Sequence, residues 1–162
     1  MNSVRRARRK VNKLKRFSRL GNKDQVMTFE AAVLLGVARV ALLVVPFRKV
    51  AEKLGTPHSA AAPHNILRPA RDDEEELARR VSEAVQRAAK NVPFRAVCIH
   101  QALVAKLMLE QRGVPSVMHF GVARNSADAD DALRAHAWLN TATVEITGFP
   151  VEDDLKEIAY FI

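Results

Sequence analysis

"PFRAVCIHQALVAKLMLEQRG", residues 93–113, decides how the chain is read, because it holds the only cysteine among 162 residues. Pro93 stops whatever precedes it and Gly113 supplies a helix stop, so the segment between reads as a helix over roughly 96–112. Ile99, Leu103 and Leu107 form one apolar row, with Ala102, Ala105 and Leu109 beside it. Cys98 therefore falls on the first turn. A lone cysteine in an apolar helix is a common core residue. The same position suits a nucleophile, because free N–H groups and the helix dipole favour a thiolate there.

Working outward, Gly113-Val114-Pro115 ends the helix and the hydrophobic period changes to that of strands. Residues 116–123 (SVMHFGVA), 133–140 (LRAHAWLN), 142–148 (ATVEITG) and 157–162 (EIAYFI) read as four strands, the first two joined by a polar loop over 124–132. Upstream, acids at 72–76 open a helix whose stripe is Leu77, Val81, Val85 and Ala88. Helices followed by a small antiparallel sheet make an α+β layout. The organisation expected is a basic arm over 1–20, a helical part over 21–55, a proline-containing linker or wrapped loop over 56–71, and a core over 72–162.

The net charge of +8 is local. Residues 1–20 carry nine Lys or Arg and no acid, leaving 17 basic against 18 acidic residues in the remainder. Such an arm suits an acidic surface, an anionic lipid or a solvated tail. Phe17 is its one aromatic, so base stacking has little support and no nucleic-acid partner is expected. The apolar run FEAAVLLGVARVALLVVPF (29–47) is interrupted by Glu30 and Arg39 and closed by Pro46. It reads as a buried helix, or a helix pair broken near Gly36, rather than a signal peptide or membrane span. A cytoplasmic protein is the expectation, with peripheral membrane contact through the arm.

One cysteine excludes an internal disulfide and thiolate metal clusters. The glycines form no phosphate-binding motif, and the five histidines form no H-x-x-x-H pair, so neither a cofactor nor a metal is expected. A thiol nucleophile needs a base from elsewhere in the fold. His100 lies two residues from Cys98, on a different side of the helix. His136 sits in a strand between Ala135 and Ala137, small neighbours that leave its ring approachable, and His119 is the rival. Glu145, the only acid of its strand, is the nominee for orienting the imidazole.

Taken together, "VPFRAVCIHQAL", "LMLEQRGVPSVMHFGVA", "LRAHAWLN" and "VEITG" resemble the stand-alone transglutaminase-like leader peptidases of lasso-peptide biosynthesis, the cysteine-protease half of the B protein. The resemblance implies a papain/transglutaminase-like fold in which N-terminal helices and a small antiparallel sheet pack on the nucleophile-bearing helix. It implies Cys98 as nucleophile and His136 as base, and cleavage of a ribosomally made precursor peptide. The implied partners are that precursor, a separate leader-recognition protein and the lasso cyclase. Some relatives carry an aspartate twelve residues past the histidine, where this chain has Gly148. A non-enzymatic adaptor on the same fold and an amine-accepting acyl transferase are the alternatives.

Overall fold

The computed structural model describes residues 21–52, 54–60, 67–124 and 133–162. The basic arm and nearly all of the 124–132 loop lie outside the described residues. The elements are α1 (Asn22–Val44), α2 (Phe47–Ala51), β1 (Pro57–Ser59), α3 (Asp72–Ala89), α4 (Cys98–Glu110), β2 (Val117–Arg124), β3 (Leu133–Asn140), β4 (Glu145–Thr147) and β5 (Lys156–Phe161). The strands form one sheet in the order β1-β5-β2-β3-β4, every neighbouring pair antiparallel.

Small side chains set the helix packing. Ala78, Val81, Ala84, Val85 and Ala88 of α3 are fully buried, as are Ala102, Ala105, Met108 and Leu109 of α4. Alanines at the contacts let the helices approach closely while the longer residues fill the space between. Met27, Ala31 and Leu35 of α1 complete this layer, and Met118, Ala137, Leu139 and Phe161 join the same core from the sheet. On the other sheet face, the register sets His119 opposite both Trp138 and Tyr160. α3 is tied to the sheet by Ser82, whose hydroxyl donates to the Ile146 carbonyl at 2.5 Å.

Chain punctuation follows local chemistry. Glu74 in the first turn of α3 accepts the Arg71 backbone N–H at 3.0 Å and pairs with Arg68 and Arg71. The hydrogen bond from Arg68, followed by that from the Arg71 backbone, holds its carboxyl down at about 2. Just past the end of α4, Gly113 takes a φ of +69° in the left-handed region, and the Val114 N–H closes back on the Leu109 carbonyl.

Three expectations need correction. Residues 29–47 do not form a buried helix or one broken near Gly36. α1 is one unbroken helix to Val44, buried along Met27, Thr28, Ala31 and Leu35 and exposed opposite. Gly36 stays helical within it, and no packing contact is missing there, since a Cβ would meet nothing within 4 Å. Residues 57–59, expected in the linker, pair as edge strand β1 with β5. β4 is only Glu145–Thr147, because residues 141–144 close a turn, with the Thr141 N–H on the Val144 carbonyl and the Val144 N–H on Thr141 Oγ1, and Gly148 at φ +83° turns the chain away at the other end.

His100 is buried in α4, and among the described residues neither ring nitrogen makes a well-formed hydrogen bond. Burial, and secondarily the charge of Arg39, push its imidazole below the ordinary 6.5. Because the fold favours the neutral ring, its contribution is present above pH 6.5 and is lost as pH falls below it. Urea midpoints at pH 7.5 and 5.5 check this. His100→Leu is expected to stay within about 1 kcal/mol of the parent at the higher pH and to lose less stability on acidification.

Candidate active site

Cys98 is the first helical residue of α4 and is half-buried. The N-cap residue, Val97, has no side chain that can cap this helix end, and no acid lies in the first turn. The positive end of the dipole and the first N–H groups are therefore turned to whatever lies beside the sulfur. Gln101, one turn on, donates from Nε2 to the Ala96 carbonyl at 2.8 Å, pinning the entering chain against the helix. That bond fixes where Cys98 begins.

The sheet contributes its opening from β3. β4 pairs with β3 only at Leu139 and Asn140, so the edge of β3 from His136 to Trp138 has no β4 partner. A cavity of about 620 Å³ opens beside it. Cys98, Gln101, His136, Glu145, Gly148 and Lys90 are among its lining residues, so Cys98 and His136 line one cleft. The size suits a ligand cleft.

The imidazole is held on two sides. His136 Nε2 lies 2.7 Å from the Gly148 carbonyl oxygen. A carbonyl only accepts, so Nε2 carries the proton and the neutral ring keeps its lone pair on Nδ1. Trp138, buried two residues on, stacks against the ring at 6.0 Å with an interplanar angle of 18°. Gly148 is the position where the resemblance leads one to expect an aspartate. Here the peptide carbonyl takes the hydrogen bond, and no larger residue fits. A Cβ at Gly148 would come within 2.5 Å of the Ala137 carbonyl oxygen and 2.8 Å of Trp138 Cβ, at a φ of +83°.

The site residues read from the sequence thus separate. Cys98 and His136 are brought to the same cleft. Glu145 is there too, but on the exposed rim, and it is not the acceptor of the ring proton. A carboxylate nominee is replaced by a backbone atom because the turn after β4 delivers Gly148 first. His119, the rival base, is outside this cleft. It is buried, with Nδ1 2.7 Å from Glu157 Oε1 and Nε2 2.6 Å from Asn140 Oδ1, and lines a separate cavity of about 490 Å³. Both nitrogens are committed to structure.

Glu152 escaped the sequence reading. Its carboxyl is held below the usual range first by the hydrogen bond from Arg134, then by that guanidinium's charge, with a smaller contribution from His136. It is thus an acid within electrostatic reach of the imidazole, supplied by the loop before β5. Its one local signal is the run of acids at 152–154. Among the described residues, no group of three or more His, Cys, Asp or Glu is arranged to hold a metal.

An α+β fold with a helix-mouth cysteine and a strand histidine in one cleft defines a class, and comparison with protein families agrees. The profile of the transglutaminase-like superfamily matches residues 41–159, and the chain belongs to that superfamily. Its members are typically cysteine peptidases or acyltransferases. No curated protein and no solved structure matches the chain.

Gly148→Ala tests the carbonyl anchor. It should lower stability by more than about 1 kcal/mol in urea unfolding, since alanine cannot take this φ without strain. The imidazole should lose its fixed tautomer, read as a changed His136 side-chain resonance. An unchanged resonance in the folded variant would remove Gly148 from the role assigned to it.

Proposed function

We propose that this protein is a cysteine peptidase that removes the leader from a ribosomally synthesised lasso precursor peptide through an acyl-enzyme at Cys98. The observation that carries the reading is the shared cleft, in which His136 has its Nε2 proton bound to Gly148 and Nδ1 left as the basic nitrogen. The order of motifs around Cys98 and His136 supports the leader-peptidase specificity.

In the mechanism, His136 Nδ1 takes the thiol proton as Cys98 Sγ attacks the carbonyl at the leader–core junction. The uncapped first turn of α4 supplies N–H donors for the oxyanion of the tetrahedral intermediate. Collapse breaks the C–N bond, and the proton on Nδ1 passes to the leaving amine. Water then attacks the thioester and gives its proton to Nδ1. The C–S bond breaks, releasing a carboxylate and restoring the thiol. Trp138 and the Gly148 carbonyl hold the ring through both transfers.

A carbonyl orients imidazolium as an aspartate does, but with a partial charge in place of a full one. Glu152, paired with Arg134, adds a longer-range negative charge. The reading includes a separate leader-recognition protein that presents the precursor, a cyclase that takes the core onward, and a cytoplasmic setting. Gly148 at the aspartate position is the observation that favours the adaptor alternative, in which the same cleft only holds peptide.

The test incubates the protein with a leader-recognition partner and precursor and reads the products by mass spectrometry. Free core and leader are expected, with loss of at least about a thousandfold in rate for Cys98→Ala and His136→Ala. Cleavage surviving in Cys98→Ala would overturn the nucleophile. An intact precursor with wild-type protein, together with undiminished lasso output from Cys98→Ala in cells, would mean an adaptor. An amine conjugate in place of the free acid would mean acyl transfer.

A further inference from the structure

The outer face of α1 has no role in the core or the cleft. Val26, Phe29, Val33, Val37, Val40 and Val44 follow one another at spacings of three or four, which aligns them along one side of the helix. All are exposed, Phe29 at 70%, Val33 at 50% and Val37 at 59%. A solvated helix face normally carries charge, and this one presents a continuous apolar stripe.

The charges in this part of the chain are mostly of one sign. Residues 1–51 hold 13 Lys or Arg and two acids, whereas the remainder holds 13 basic and 16 acidic residues. Both acids are engaged toward the body. Asp24 pairs with Arg80 at 2.8 Å, and Glu30 with Arg112 at 2.6 Å. Among the described residues, Lys23 precedes the stripe and Arg48 and Lys49 follow it on α2, all three exposed; nine further cations come earlier in the sequence. From Ala31 to Ala51 the chain contains no acid.

We infer that this face docks on an anionic phospholipid surface, with α1 lying along the headgroup boundary, its valines and Phe29 inserted, and the flanking cations on lipid phosphates. An apolar stripe between blocks of positive charge is the combination that such a surface recognises. α1 is long and apolar enough to cross a membrane by length and composition. It lies on the surface rather than spanning, because Ala31 and Leu35 on its inner side are fully buried against the protein's own core. A protein partner of ordinary mixed charge would leave the concentration of cations unmatched. The inference is independent of the peptidase reading.

Co-sedimentation of the full chain with vesicles tests it. Binding is expected to mixed phosphatidylcholine–phosphatidylglycerol vesicles at low salt, weakening as salt rises, and little binding to phosphatidylcholine alone. The triple variant Phe29→Ser, Val33→Ser, Val37→Ser should lose at least about tenfold in partition coefficient, since the three side chains no longer insert. Its circular-dichroism melt should match the parent's, because none of the three is buried. Full binding by the folded triple variant would assign attachment to the basic arm alone and overturn the stripe. Absence of wild-type binding to the mixed vesicles would overturn the proposal. So would a wild-type dimer that the triple variant converts to monomer without any vesicle association, which would make the face a self-contact.

Discussion

The hydrogen bond from His136 to the Gly148 carbonyl gathers most of what positions the site. It exists because β4 stops after three residues and Gly148 turns at a φ that other residues resist. The same turn leaves the β3 edge uncovered and opens the cleft toward the mouth of α4. One short strand and one glycine therefore set the tautomer of the imidazole and the access to the thiol. α3 holds that corner in place through Ser82 on the Ile146 carbonyl, two residues before the turn.

The sheet divides its histidines between two tasks. His119 and His136 lie on neighbouring strands, and Trp138 stacks on both, at 5.3 and 6.0 Å. Their partners differ. His119 is fastened at both nitrogens by Glu157 and Asn140, while His136 is fastened at Nε2 by a backbone carbonyl and faces the Cys98 cleft. The buried indole thus packs on one imidazole that is anchored at both nitrogens and on one that lines the site. Rigidity of this kind would count under the proposed mechanism, in which a proton passes twice at one nitrogen.

The chain also separates its charges. Positive charge is concentrated in the first 51 residues, whereas the remainder is mildly acidic. α1 stands at the join, contributing Met27, Ala31 and Leu35 to the common core and turning its apolar outer face away from it. A peptidase seated on a membrane through that helix would keep its cleft, built from α3, α4 and the sheet, on a different part of the molecule. Attachment and catalysis would then draw on separate residues.

Much of this was legible in the order of residues. Helical spacing after Pro93, the stop at Gly113 and the alternation beyond it identify α4, β2 and β3, because such local patterns survive folding. The sequence by itself also supplied a single thiol at a helix start and a histidine flanked by alanines. What it could not supply was the partner of that histidine, since side-chain chemistry points to carboxylates while a backbone carbonyl is present at every position. Nor could it divide α1 into a buried and an exposed side, because both sides are apolar and only the placement of α3 and α4 distinguishes them. Patterns within one element are written locally. Which atom meets which across elements was decided only when the chain packed.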